Sequence, residues 1–144
     1  MTDPDHFNLQ RFLEAQRDDY ETALAEVRRG QKVSHWMWYI FPQYRGLGSS
    51  YTAQQYAIQS RAEAQAYLQH EVLGPRLVRC ALAALEIEGR TAHEIFGWPD
   101  ELKLKSCCTL FAEVSPPGSV FEQLLAKYYS GERDRRTLDL LGAE

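Results

Sequence analysis

The sequence predicts an all-α fold, a compact single-domain bundle of about six to eight helices. Helix-capping residues and glycine or proline stops recur at regular intervals, and the apolar residues between them keep the helical period of roughly 3.6 residues. Strand signals are weak, because the chain has no Asn-Gly or Asp-Gly hairpin turn and no alternating run of β-branched residues. At 144 residues, the chain can bury one core without disulfides or a structural metal.

Residues 1–7 are predicted to be a flexible N-terminus, and residues 8–144 to form the single helical domain. Asn8 is the expected N-cap of the first helix, which ends at Gly30. The apolar positions of this helix repeat with helical spacing: Leu9, Phe12, Leu13, Tyr20, Leu24 and Val27.

Later helix starts are marked by three capping boxes, in which a serine or threonine precedes a glutamate by three residues. The boxes are Ser60 with Glu63, Thr91 with Glu94 and Ser119 with Glu122. Pro75 fits the first turn of a helix that Gly89 ends, and Asp100 can start a helix that reaches Val114. Asp134 is the expected cap of a last short helix.

The segment 34–48, Ser-His-Trp-Met-Trp-Tyr-Ile-Phe-Pro-Gln-Tyr-Arg-Gly-Leu-Gly, is rich in aromatic residues and is predicted to be a loop or short helix. Its stretch Met37 to Phe41 fits either a short strand or a helical turn that Pro42 stops. Aromatic walls with a few polar groups are typical of a small-ligand pocket. The expected lining residues are Trp36, Trp38, Tyr39, Gln43 and Tyr44.

The end of this segment is predicted to be an anion subsite. Gly46 and Gly48 allow backbone N–H groups to turn toward a common point, and Arg45 and Ser49 add side-chain donors for a phosphate or carboxylate. The alternative is a plain loop-to-helix turn with a surface arginine.

The stretch that follows Trp98 is a third candidate. Lys105 and Thr109 stand four residues apart on one helical face, and Lys103 and Ser106 form a neighbouring pair. If that polar side lines the aromatic cleft, Lys105 and Thr109 contribute a cation and a hydroxyl to ligand binding. The alternative is an exposed amphipathic face.

The catalytic chemistry is not determined by the sequence, because no nucleophile motif is present. His35, Glu94 and Asp100 are the weak candidates for proton transfer, and each has an ordinary structural alternative such as helix capping. No metal or cofactor is expected, since the three cysteines form no CxxC pair and the histidines lack metal-site spacing.

Composition limits the partners. The net charge of −4 argues against nucleic-acid binding, which needs many phosphate contacts from a basic surface. No apolar run is long enough to span a bilayer, and the polar, acidic N-terminus is unlike a secretion signal. The expectation is a cytoplasmic monomer or weak homodimer whose partner is a small anionic or nucleotide-like ligand.

The chain resembles a family defined only as domain of unknown function 1810, over nearly its full length. The motifs that carry the resemblance are 35–43 (His-Trp-Met-Trp-Tyr-Ile-Phe-Pro-Gln), 45–48 (Arg-Gly-Leu-Gly), 73–77 (Leu-Gly-Pro-Arg-Leu), 100–103 (Asp-Glu-Leu-Lys) and 109–111 (Thr-Leu-Phe). The resemblance implies a small, mainly helical, bacterial-type cytosolic protein, and it implies no activity. Cys107 and Cys108 depart from it, where smaller or Met-like residues are expected.

A second likeness, in 62–77 and 103–125, is to the NADAR family of helical N-glycosidases that act on ADP-ribose-type compounds. The signature glycine and tryptophan segment stands in a different order here, so no catalytic residue is carried over. The leading hypothesis is therefore a domain that binds a nucleotide- or sugar-phosphate-like ligand. The alternatives are a NADAR-like N-glycosidase and a protein-interaction module that exposes the segment 34–48.

Overall fold

The computed structural model describes residues 5–144, and within this range it has nine helices and no strand. They are α1 Gln10–Arg28, α2 Met37–Ile40, α3 Tyr51–Gln55, α4 Arg61–Gln69, α5 Leu73–Glu86, α6 Ala92–Phe96, α7 Asp100–Glu113, α8 Val120–Tyr129 and α9 Arg135–Gly142. The all-α prediction is confirmed. The helix number is higher than expected because α2, α3 and α6 are single turns of four or five residues.

The core lies between the long helices, with α7 packed on α8 and α9 and α5 packed on α1, α4 and α8. A chain of aromatic rings crosses it. Phe12 of α1 meets Tyr67 of α4 edge-on at 5.1 Å, Tyr67 lies 5.6 Å from Phe111 of α7, and Phe111 lies 5.6 Å from Phe121 of α8. Aromatic contacts at these spacings stabilise the packing beyond the area that they bury.

Most of the predicted helix caps are present. The side chains of Ser60, Thr91 and Ser119 each accept a hydrogen bond from the backbone N–H three residues later. The reciprocal bond of a complete capping box is made only at Thr91, among these three. At the other two, the glutamate accepts from the residue before the cap, Gly118 in one case and Gln59 in the other. Asp134 caps α9, as predicted.

The start of α1 differs from the prediction. Asn8 adopts a left-handed conformation and its side chain caps nothing, because α1 begins at Gln10. The carboxylate of Asp5 takes the capping role instead, by accepting from the backbone N–H groups of Leu9 and Gln10. Of the segment 1–7 predicted to be flexible, residues 1–4 lie outside the described range, whereas Phe7 packs against the core.

No helix in residues 5–144 has the length and apolarity needed to cross a membrane.

Candidate functional site

A buried carboxylate holds the start of the aromatic segment. Glu26 of α1 is 3% exposed and accepts from the backbone N–H groups of Val33 (2.8 Å) and Ser34 (2.9 Å). It also accepts from the Ser34 hydroxyl (2.6 Å) and the indole N–H of Trp36 (2.9 Å). Burial alone would raise the pKa of Glu26, but the donated hydrogen bonds outweigh it and lower that pKa to about 2.

Trp36 therefore belongs to the core. Its side chain is 1% exposed and its ring lies 6.2 Å from that of Phe41. The prediction that Trp36 lines a ligand cavity is therefore wrong. The indole N–H, the polar handle that made Trp36 a candidate, is already bound to Glu26.

The single turn of α2 sends the next side chains in different directions. Met37 and Ile40 point into the core. Tyr39 packs its ring 5.2 Å from that of Tyr56 and donates its hydroxyl to Asp19, and burial together with this bond raises the pKa of Tyr39. Trp38 instead faces the start of α7.

Trp38 forms one wall of a cavity of about 430 Å³, here called the main cavity. This volume lies in the range of small-molecule sites. The walls come from the segment 43–53, the start of α7 and the start of α9: Gln43, Leu47, Gly48, Ser49, Ser50, Ala53, Pro99, Leu102, Lys103, Ser106, Asp134 and Arg136. Three stretches that are distant in the sequence, 38–53, 99–106 and 134–136, thus converge on one space.

A second space of about 360 Å³, the adjacent cavity, shares Trp38, Pro99 and Lys103 with the main cavity. Its other walls are Lys32, Val33, His35, Met37, Phe96, Trp98 and Asp100. Trp38 and Lys103 therefore line both cavities, which together are here called the groove.

Charges in the groove are partly paired. Asp100 forms ion pairs with Lys32 (2.8 Å) and Lys103 (3.4 Å). The Lys103 ammonium also lies 5.0 Å from the ring centroid of Trp38. Asp134, on the opposite wall, caps α9: one of its carboxylate oxygens accepts hydrogen bonds from the backbone N–H and the hydroxyl of Thr137.

Arg136 is the second cation of the main cavity. Its guanidinium donates one hydrogen bond, to the carbonyl of Gly46 (3.0 Å), and forms no ion pair with the described carboxylates. The preceding residue, Arg135, is exposed and pairs with Asp139 instead. Neighbouring arginines of α9 therefore have different surroundings.

The predicted anion subsite is divided between two spaces. Gly48 and Ser49 line the main cavity, but Arg45 and Gly46 line a separate groove of about 280 Å³ that shares only Gly48 with it. The Arg45 guanidinium lies 5.3 Å from the Tyr44 ring centroid, and its Nε donates to the carbonyl of Gln59 (3.0 Å).

Tyr44 itself is buried beneath Arg45 and donates its hydroxyl to Glu144 (2.7 Å). The structure therefore does not bring Trp36, Tyr39, Tyr44 and Arg45 to the cavity that Trp38 and Gln43 share.

The structure places the two polar pairs of α7 on different sides. Lys103 and Ser106 line the main cavity. Lys105 points away, forming an ion pair with Glu132. Thr109 is fully buried, where it donates to the carbonyl of Lys105 and accepts from the backbone N–H of Asp134, both at 2.8 Å. Its role is to join α7 to the start of α9.

Of the candidates for proton transfer, Asp100 and His35 line the adjacent cavity. Glu94 lies at the exposed start of α6, where its carboxylate completes the capping box and its pKa is lowered by the backbone hydrogen bond from Thr91. The cysteine thiols Cys80, Cys107 and Cys108 are buried, and burial raises the pKa of Cys80 to about 12.

Residues 5–144 contain no cluster of three histidine, cysteine or carboxylate side chains that could hold a metal ion.

Several lining residues escaped the sequence prediction, among them Trp98, Leu102 and Arg136. Arg136 carried a signal, since a cation in the first turn of a helix opposes the helix dipole and calls for another role. Trp98 is 73% exposed, which the sequence alone does not show.

Comparison with known proteins identifies the family. The model of a protein family of unknown function, DUF1810, matches residues 6–141. The chain belongs to the DUF1810 family. It is also similar to a solved structure, the conserved hypothetical protein Rv1873 from Mycobacterium tuberculosis, with 53% sequence identity and a TM-score of 0.93 over 97% of this chain and 99% of that one. No curated protein matches the chain significantly.

The family assignment agrees with the resemblance seen in the sequence, and it brings no activity with it. The likeness to NADAR-type N-glycosidases has no support in these matches. The hydrolase alternative required a carboxylate in one cavity with Trp36 and Arg45, and the structure does not place those two residues together. The interaction alternative required an exposed segment 34–48, of which Trp36, Phe41 and Tyr44 are buried.

Proposed function

We propose that this member of the DUF1810 family binds a small nucleotide- or sugar-phosphate-like ligand in the main cavity. One observation carries the proposal: Lys103 and Arg136, from different helices, line the same cavity, while their neighbours Lys105 and Arg135 do not. Cations that converge from separate elements favour an anionic ligand, and the Arg136 guanidinium retains donors beyond its bond to Gly46.

The remaining lining residues suit the same ligand. Gln43, Ser49 and Ser50 supply polar groups beside the two cations, and Trp38 and Leu102 supply apolar surface. Seven of the thirteen lining residues are polar or charged, which suits a polar, anionic ligand, and the apolar residues among them are typical of a small-ligand site. The two carboxylates nearby do not oppose an anion fully, because Asp100 is ion-paired and Asp134 caps a helix.

The test is a thermal-shift screen with inorganic phosphate, ribose 5-phosphate, ADP-ribose and nucleotides. A ligand present at 100 times its Kd stabilises the fold by about 2.7 kcal/mol, which raises the melting temperature by several degrees for a chain of this size. We expect at least one phosphate-bearing compound to do so.

Arg136→Ala should abolish this shift, and Arg135→Ala is the matched control that should keep it. Both arginines are exposed, so neither variant should lose much stability by itself. Absence of any stabilising phosphate compound would overturn the proposal, as would equal responses of the two arginine variants.

A further inference from the structure

The adjacent cavity contains an aromatic surface that the main cavity does not explain. Trp98 is 73% exposed and lines this cavity together with Trp38. Among residues 5–144, Trp98 stacks on no other ring, whereas Phe96, two residues earlier, packs edge-on against Phe41. An indole left open at the wall of a cavity is a common feature of ligand-binding surfaces.

The charges of the adjacent cavity indicate which part of a ligand belongs there. Its carboxylate, Asp100, is paired with both Lys32 and Lys103. The cavity therefore offers no unpaired negative charge that would select a cationic ring. It is lined by the indole side chains of Trp38 and Trp98 with apolar neighbours such as Val33 and Phe96, which suits a flat, uncharged ring.

The two cavities adjoin at the residues that line both of them. Trp38 and Lys103 face both, so a ligand that lies across them can put a ring on one side of Lys103 and an anion on the other. The cations Lys103 and Arg136 are then available to the anion in the main cavity.

We infer that the ligand is a nucleoside phosphate, with its base at Trp38 and Trp98 in the adjacent cavity and its phosphate near Lys103 and Arg136 in the main cavity. This inference rests on the proposed function and makes it more specific. A sugar phosphate would leave the indole of Trp98 uncovered, whereas a base would bury it. Base–aromatic stacking is sequence-tolerant, so the arrangement by itself does not select one base.

The test compares whole ligands with fragments by calorimetric titration. The probes are the four nucleoside monophosphates AMP, GMP, CMP and UMP, with ribose 5-phosphate lacking the base and adenosine lacking the phosphate. At least one nucleotide should bind about tenfold more tightly than ribose 5-phosphate, which lies within the range expected of one stacked base.

Trp98→Ala should weaken that nucleotide by about tenfold and leave ribose 5-phosphate unchanged, and Trp98→Phe should recover part of the loss. Tyr51→Ala removes another exposed aromatic side chain, one that lines neither cavity, and should change nothing. Because Trp36 is buried, quenching of tryptophan fluorescence by the nucleotide should come from Trp38 and Trp98, and should shrink in Trp98→Ala.

Equal affinities for ribose 5-phosphate and all four nucleotides would overturn this inference and leave the proposed function standing. So would an unchanged affinity of Trp98→Ala, or a halved mass of Trp98→Ala in light scattering, which would assign Trp98 to a dimer contact. Failure of every phosphate-bearing probe, ribose 5-phosphate included, would overturn the proposed function as well.

Discussion

Trp36 and Trp38 stand two residues apart in the same aromatic segment, and their surroundings are opposite. Trp36 is buried with its indole N–H bound to Glu26, whereas Trp38 is partly exposed on the wall between two cavities. Trp36 is the N-cap residue that precedes α2, whereas Trp38 lies within its single turn, and the two side chains point to the core and to the cavity, respectively. The buried end of the segment fixes the backbone from which the cavity end projects.

The largest expected effect is on the buried end. Trp36→Ala should lower the free energy of unfolding by about 3–5 kcal/mol, because it removes a large core side chain and one of the donors to the Glu26 carboxylate. Trp38→Ala should cost about 1 kcal/mol or less, mainly the contact with the Lys103 ammonium. Chemical denaturation of both variants measures the difference. Similar losses of free energy would contradict the assignment of Trp36 to the core and Trp38 to the cavity.

A smaller loss is expected when Glu26, which holds the start of the segment 34–48, keeps its size and loses its charge. Glu26→Gln should cost about 2 kcal/mol, since hydrogen bonds to a charged acceptor become bonds to a neutral one. The pKa of Glu26 is lower in the folded state than its ordinary value of 4.5. Its charge therefore stabilises the fold above pH 4.5, and this stabilisation is lost as the pH falls toward about 2.

Between pH 4.5 and about 2, the free energy of unfolding should therefore fall more with decreasing pH for the wild type than for Glu26→Gln, as measured by chemical denaturation at several pH values. Parallel curves would show that Glu26 does not hold the segment through its charge.

The effect at the cavity end is expected to be smaller still. A Cβ added at Gly48 would lie 2.6 Å from the Cβ of Ala53, so the loop and α3 must separate to accept Gly48→Ala. We expect a cost of about 1–2 kcal/mol and weaker binding of any main-cavity ligand. In an Ala53→Gly background the obstruction is gone, and a double-mutant cycle should show a smaller cost for Gly48→Ala. Additive costs would contradict the close approach.

Local signals in the sequence predicted much of the fold. Ser60, Thr91 and Asp134 cap helices as predicted, because capping depends only on residues within one turn. The direction in which a side chain points from a largely buried helix is not determined by such local signals. In α7, Leu104 and all residues from 106 to 112 are buried, so the sequence shows no single polar face.

Lys105 and Thr109 were for this reason as plausible at the cavity as Lys103 and Ser106. The ion pairs of Asp100 with Lys32 and Lys103, and the approach of α9 to the segment 43–53, arise from tertiary packing. A single sequence, taken without an alignment, contains no signal for such contacts. The sequence thus indicated which segments of the chain are near the candidate site, but not which of their side chains line the cavity.

We expect the groove beside Trp38 to bind an anionic ligand through Lys103. The most direct measurement is a calorimetric titration of Lys103→Ala and Lys105→Ala with the phosphate compound that most stabilises the wild type. Both lysines lie on α7, and both are paired with a carboxylate, so the variants are closely matched. The structure predicts a loss of affinity of about tenfold or more for Lys103→Ala and wild-type affinity for Lys105→Ala. Equal affinities of the two variants would contradict it.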